Sequence, residues 1–296
     1  MPGELIQVAG PVWLLSGCRK GRPPFCNSVL IRDGETALID SGAGIPVLEP
    51  WAQTGKVDLV LNTHSHPDHA AGNFLFQGSE IMIPQMAADS AGRLELLRRR
   101  FFRDSDMGEV WTDFIRRETG FVDQEATAHF QPGDTIQVGS TRLEVVPTPG
   151  HSLDHCCFWL PQWGVLISAD IDLTPFGPWY GNPESDLEQF RDSLKVVKDL
   201  EPQVIVPSHR LPLHQGIEEA LDAFALAFGQ REQRIIRFLS QERSLAEMVM
   251  AALIHRTFDS YPQLLPFWEE VMICKHLEEL VAQGRVRRTS RGYVAA

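Results

Sequence analysis

The chain has no C-x-x-C pair, and its five cysteines (Cys18, Cys26, Cys156, Cys157 and Cys274) are odd in number and scattered. That pattern speaks against a disulfide framework and against a structural zinc knot. No stretch is long and apolar enough to span a bilayer. The first residues include an acid, Glu4, and no basic segment followed by an apolar run, so a signal peptide is not expected. A reducing, cytoplasmic setting is the expectation. Positive charge is scarce: 27 Lys and Arg stand against 39 Asp and Glu, a formal net charge of -12. A negative field repels phosphate backbones, which counts against a nucleic-acid substrate unless charge is locally arranged. No G-x-S-x-G occurs, and there is no internal repeat or low-complexity segment. What remains is the composition of an ordinary globular protein, 296 residues with 43% hydrophobic and 22% charged, enough for one large core or two smaller ones.

One stretch is dense in metal ligands. Leu59-Val60-Leu61 reads as a buried strand, and Asn62-Thr63-His64-Ser65-His66-Pro67-Asp68-His69 follows it. Pro67 interrupts a helix, so the ligands are expected on a turn leaving the strand. In extended chain His64 and His66 point the same way, because side chains alternate. Past Pro67 the chain turns, and Asp68 and His69 can face a second point close by. Nitrogen and oxygen ligands of this kind suit zinc, and also iron or manganese. A chance cluster on a surface loop would have no distant partners. Here His151, Asp170 and His209 each follow an apolar run that reads as a strand.

The chain resembles the metallo-β-lactamase-fold hydrolases over about residues 5 to 215. The resemblance rests on Leu38-Ile39-Asp40-Ser41-Gly42, Thr63 to His69, Thr148-Pro149-Gly150-His151-Ser152, Ser168-Ala169-Asp170 and Pro207-Ser208-His209. It implies an α/β fold, an αββα sandwich with the metals at one sheet edge. It also implies two divalent metal ions, zinc first and manganese or iron as alternatives. His64, His66 and His151 would hold one, Asp68, His69 and His209 the other, and Asp170 would bridge them. Asp40 would support the ligands from behind without being one. Two such metals about 3.5–4 Å apart share a hydroxide nucleophile, and Asp68 would orient it and carry its proton towards the leaving group. The oxygen-reducing diiron branch usually has Glu where His66 stands, and true β-lactamases lack a bridging carboxylate at Asp170, so neither is expected. Glyoxalase II-type thioesterases share all seven ligands, but their glutathione-binding basic and tyrosine residues find no match here. Persulfide dioxygenases use only part of the set.

The rest of the chain fits around these motifs. Strands are expected at Val12 to Ser16, Asn27 to Ile31, Thr36 to Ile39, Ile81 to Pro84, Thr135 to Val138, Arg142 to Val146, Cys156 to Leu160, Gly164 to Ile167 and Val204 to Pro207. Helices are expected at Ile45 to Trp51, from Ala70 onward, and at Asp186 to Leu200, where Leu187, Phe190, Leu194 and Val197 share a face. Residues 85–130 read as a mostly helical insertion containing Arg98-Arg99-Arg100-Phe101-Phe102. It is either a lid over the site or a solvated helix face with buried aromatics. Phe176, Trp179 and Tyr180, on a Gly- and Pro-rich loop after Asp170, are candidate pocket residues. Tyr180 could donate to an oxyanion, or all three could anchor the loop to the body. His155 reads as a strand histidine bonded to backbone, and Cys156 and Cys157 as packing.

Residues 1–215 are thus expected to form the catalytic domain, 216–243 a connecting helix, and 244–296 a winged-helix-like tail. In that tail Ser244 to Glu247 is a capping box, Leu264 to Ala282 a helix, and Arg285 to Ala295 a hairpin. Some branches of the family carry such a tail, including one with endoribonuclease activity. The favoured reading packs the tail on the core or uses it in a homodimer. The sequence therefore points to a hydrolase of a small ester, thioester or lactone. An RNA-cutting enzyme is the alternative, and a nucleic-acid-binding regulator a remoter one. A small-molecule substrate is expected, and no membrane partner.

Overall fold

Side chains alternate along a strand, and here the alternation sorts apolar residues onto two faces of two sheets. The computed structural model describes residues 1, 3–103 and 105–296. The first sheet runs in chain order from β1 (Leu5–Ala9) and β2 (Val12–Leu15) through β3 (Ser28–Asp33), β4 (Glu35–Ile39), β5 (Leu59–Leu61) and β6 (Glu80–Pro84) to β7 (Ala128–Phe130). It is antiparallel as far as β4 and parallel from β4 to β7. The second sheet has β8 (Thr135–Val138), β9 (Thr141–Pro147), β10 (Cys156–Leu160), β11 (Val165–Ala169) and β12 (Val204–Pro207), in the order β12-β11-β10-β9-β8. Its β11–β12 pair is parallel.

Leu14, Val29, Ile31 and Ile39 face inward from the first sheet and meet Val145, Phe158, Ile167 and Val206 of the second. Their neighbours face outward. Leu15, Leu30 and Leu38 pack on α1 (Ile45–Thr54) through Val47 and Leu48. Cys157, Leu166 and Ile205 pack on α5 (Leu187–Asp199) and α6 (Ile217–Phe238). Covered on both faces, β11 and β12 are buried throughout, which is why they read as unbroken apolar runs. The result is the expected αββα sandwich. Cys156 and Cys157 are packing residues on opposite faces of β10.

Two departures from the sequence reading matter for the site. The helix after the histidine motif is α2 (Pro67–Ala70), which begins at Pro67 itself. Proline at the first helical position loses no hydrogen bond, so it starts this helix and does not block it. Asp68 and His69 therefore stand on a helical turn, ahead of the expected start at Ala70. The insertion at 85–130 holds α3 (Leu94–Phe102) and α4 (Met107–Thr119), but it ends in strand β7, which the sequence reading missed along with β1. The tail, in line with the favoured reading, shares a core with the second sheet. It consists of α7 (Leu245–Met250), α8 (Leu265–Ala282) and a hairpin, β13 (Val286–Arg288) with β14 (Tyr293–Ala295). Met272, Ile273, Leu277, Leu280 and Val286 join the cluster that contains Leu166 and Ile205. The capping box at Ser244 and Glu247 is formed. No helix among the described residues is long and apolar enough to cross a membrane.

Candidate metal centre

The loops leaving β4, β5, β9, β11 and β12 deliver their polar side chains to one point. His64, His66, His151 and Asp170 bring ligand atoms within 4.8 Å of one another, and so do Asp68, His69 and His209. Asp170 spans the two groups. Its Oδ1 lies 3.0 Å from His69 Nε2 and 3.2 Å from His209 Nε2, while its Oδ2 lies 3.2 Å from His151 Nε2. His66 Nδ1 is 2.8 Å from His151 Nε2. Asp68 Oδ2 stands further out, 3.8 Å from His69 Nε2 and 3.7 Å from His209 Nε2. All seven side chains named from the sequence are brought together.

Each imidazole is held from behind, which fixes the nitrogen it turns inward. His69 Nδ1 donates to Asp40 Oδ2 (2.8 Å), His151 Nδ1 to the Trp179 carbonyl (2.9 Å) and His209 Nδ1 to the Gly21 carbonyl (2.7 Å). His64 Nδ1 meets Thr63 Oγ1 at 3.1 Å, and the Asn182 amide lies 2.8 Å from His66 Nε2. Asp40 also accepts from the Thr63 N–H and hydroxyl, at 2.8 and 2.9 Å. It thus carries both the start and the end of the motif. Its backbone sits at φ 57°, a costly conformation for a residue other than glycine and one that clusters at functional sites. Gly42 is required nearby, because a Cβ there would lie 1.5 Å from the Asp68 carbonyl. Gly150, at φ 128°, lets the chain before His151 press against the Phe190 backbone, 2.4 Å from where a Cβ would stand.

The donor set fits a divalent cation. His64 Nε2, His69 Nε2 and Asp170 Oδ1 are buried without a hydrogen-bond partner. With its Nδ1–H given to Asp40, His69 turns a lone pair towards Asp170 Oδ1, and two lone pairs at 3.0 Å call for a cation between or beside them. Burial, then the neighbouring imidazoles, hold His64 and His66 well below the usual histidine pKa, as neutral ligands must be. At His69 burial acts in the same direction but is outweighed by Asp170, Asp40 and Asp68, which favour positive charge there.

His155 is a strut, as expected for a strand histidine. Its Nδ1 donates to the Thr148 carbonyl (2.9 Å) and its Nε2 accepts the Asp170 N–H (3.1 Å), tying two ligand loops together. Burial lowers its pKa to about 3, so it stays neutral. The sequence reading missed a larger brace. Arg100 of α3 donates to Asp154 (2.7 Å), to Glu184 (2.6 Å) and to Ser65 Oγ (2.9 Å), and Asp154 accepts the Ser65 N–H at 2.7 Å. The insertion is thereby docked on the motif, and Phe101 packs edge-on to His66 at 5.1 Å. Arg98 and Arg99 pair with Glu95.

The aromatic loop after Asp170 divides. Trp179 stands at the centre, 5.5 Å from the His151 ring and 6.0 Å from that of His66. Tyr180 does not face it. Its ring is fully buried, and its hydroxyl meets His276 Nε2 of α8 at 2.6 Å, so it anchors the loop to the tail and cannot serve an oxyanion. Phe176 lies on the far side of the loop against His255 and Arg231. Lys275 of α8 binds the Pro183 and Ser185 carbonyls, and Ser185 Oγ donates to the His151 carbonyl. The tail therefore steadies a ligand loop without supplying a ligand.

Comparison with known proteins agrees with this geometry. A hydroxyacylglutathione hydrolase from Erythrobacter litoralis is 28% identical over 178 residues, 58% of this chain and 57% of that one. A beta-lactamase-like protein 2 homolog from Caenorhabditis elegans is 24% identical over 192 residues, 65% of this chain and 55% of that one. The chain thus spans little more than half the length of these relatives. A metallo-beta-lactamase family protein from Thermus thermophilus superposes with a TM-score of 0.73 at 22% identity, over 97% of this chain and 99% of its own. A beta-lactamase domain protein from Burkholderia ambifaria gives 0.71 at 22% identity, over 100% and 94%. The fold, tail included, is shared with both. The model of the metallo-beta-lactamase superfamily matches residues 21–209, more than half of the chain and the span that carries every one of the seven clustered side chains, and to that superfamily the chain belongs.

Proposed function

We propose that this chain is a hydrolase of a small ester, thioester or lactone that works with two divalent cations. The observation that carries the reading is Asp170, whose two oxygens face two separate groups of imidazoles. His64, His66 and His151 would hold one cation, Asp68, His69 and His209 the other, and Asp170 both. The nitrogen-rich set suits zinc, with manganese or iron as alternatives. When bound, such a pair supplies Lewis acidity towards water and towards the substrate's oxygen. The chain's own residues do the rest. Asp40, Thr63 and the Trp179 carbonyl hold the ligand tautomers. Asp68, with 19% of its side chain exposed, is the most open carboxylate of the cluster and is placed to hold and pass a proton. Trp179 offers an apolar wall beside His151 and His66.

The relative named for hydroxyacylglutathione supports the acyl reading. The charge arrangement weighs against RNA as substrate. Arg98 and Arg99 share Glu95 and Arg100 meets both Asp154 and Glu184, so three acids stand against three arginines, and in the tail Arg285 pairs with Glu232 and Arg291 with Glu242. The test is turnover of a thioester, an aryl ester, a lactone and a short RNA by metal-reconstituted protein, with His66→Ala as the blank. Turnover of one or more acyl substrates alone is expected. Cleavage of RNA alone would overturn the substrate class, and no turnover of any would overturn the reading.

A further inference from the structure

Away from the histidine cluster, a cavity of about 460 Å³ opens between the loop Leu173–Gly177, α6 and the segment after α7. That is the size of a small-molecule site. Its lining contains four arginines, Arg210, Arg231, Arg234 and Arg256, and no Asp or Glu. A second depression of about 370 Å³ shares Arg234 and Arg256 with it and adds Arg237. In a chain with a surplus of twelve negative charges this grouping is unusual. Two other part-buried arginines, Arg100 and Arg191, are paired with carboxylates. Among the described residues none of these five is paired with one.

Their hydrogen bonds are to neutral carbonyls. Arg231, 1% exposed, donates to the Phe176 and Pro178 carbonyls. Arg234 donates to the Leu253 carbonyl and Arg210 to that of Leu173. A buried guanidinium without a counter-charge is expensive to keep. Burial first, and then the positive charges of Arg256 and Arg231, lower the pKa of Arg234. Arg256 is held at φ 70°, an unfavourable conformation for a residue other than glycine. Between the guanidiniums the walls are apolar: Phe176, Phe224 and Ile254.

We propose that this cavity is a binding site for a small organic diphosphate, with the arginines on the phosphates and the apolar wall on the organic part. One carboxylate would be met by a single bidentate arginine. Four or five guanidiniums match the several charges and many acceptor oxygens of a diphosphate. A pocket of this volume in an acidic protein suits a small molecule better than a nucleic-acid strand.

Isothermal titration of the full chain with inorganic pyrophosphate, ADP, hexanoate and a short single-stranded RNA tests it, repeated on Arg234→Gln/Arg256→Gln and on His66→Ala. Saturable one-to-one binding of pyrophosphate is expected, with ADP tighter because it also meets the wall. Hexanoate should bind far more weakly. The double variant should lose about tenfold or more in affinity, and added salt should weaken binding in the native chain. His66→Ala should bind ADP as the native chain does, which separates this site from the metal centre and from the proposed hydrolysis. The proposal falls if neither diphosphate binds, or if the double variant binds them equally. It falls also if His66→Ala abolishes binding, if hexanoate binds as well as ADP, or if RNA binds more tightly than ADP and displaces it. Circular dichroism and the melting temperature of the double variant show whether it is folded. If it is not, the exposed single change Arg256→Gln gives the same reading with a smaller loss.

Discussion

The loop from Ile171 to Tyr180 separates two sites of opposite chemistry. On one side two carboxylates and five imidazoles converge, every imidazole anchored from behind by a named partner. On the other, arginines converge with neither carboxylate nor imidazole to balance them, anchored only by backbone carbonyls. Both sides gather charge of one kind at a cost to folding. The first gathers lone pairs and so favours cations; the second gathers guanidiniums and so favours anions. Unbalanced, well-anchored charge marks a place built for a ligand, and its sign gives the ligand's charge.

Removing the shared carboxylate should break the comparison most severely. Asp170→Ala takes an oxygen from each of the two histidine groups and leaves His69 and His209 with Asp68 alone. Metal content, measured by mass spectrometry after gel filtration, should fall from two per chain to one or none. Turnover should fall by about a thousandfold or more, since losing a cation removes several kcal/mol of transition-state stabilisation. ADP binding across the loop should persist. A variant that keeps the native metal content would overturn the proposed bridging role of Asp170.

The two sides also differ in how readable they are. Four of the seven clustered side chains fall within six consecutive residues, and the other three each follow a buried apolar strand, so a local pattern carries the site. The core is equally plain, since β10, β11 and β12 alternate or run apolar. What escapes is written in long-range pairing. Nothing local in Arg100 distinguishes it from Arg98 and Arg99, yet only Arg100 reaches Asp154 and Glu184, 54 and 84 residues away. Tyr180 reads as a pocket residue because its partner, His276, lies 96 residues on. The arginine cavity draws on residues from Arg210 to Arg256 that singly resemble a solvated helix face. Pro67 reads as a breaker, although its place at the first helical position makes it a starter. The short strands β1 and β7 lie at the sheet's edges and carry little alternation.

Two arginines sharpen the contrast between paired and unpaired charge. Arg100→Ala leaves Asp154, a fully buried carboxylate, without its main counter-charge. Breaking a buried pair this way costs about 3–5 kcal/mol, and the Ser65 and His66 backbone should loosen with it. Arg256→Ala removes a charge that only repels its neighbours, so stability should stay within about 0.5 kcal/mol of the native chain, or rise. Urea titration of both variants measures the difference. Equal losses would mean that Arg256 has a structural counter-charge after all.

The smallest change tests the loop between the two sites. Tyr180→Phe removes one hydroxyl, whose partner is His276 Nε2 at 2.6 Å. Burial lowers the His276 pKa to about 3, so the ring is neutral, and its Nε2 and the tyrosine hydroxyl share one hydrogen bond. Losing that bond leaves a buried ring nitrogen unmet and should cost about 1–2 kcal/mol. Turnover should barely move, because the hydroxyl faces α8. A drop of a hundredfold in kcat with KM unchanged would return Tyr180 to the oxyanion role that its burial denies. The same pair sets a pH dependence. The unfolded chain takes up a proton at His276 near pH 6.5, the folded chain only near pH 3, so the contribution from this residue is full above pH 6.5. It declines as the pH falls through that window, by about 1.4 kcal/mol per pH unit per proton. Replacing His276 with Gln, which titrates nowhere, should flatten that part of the stability profile.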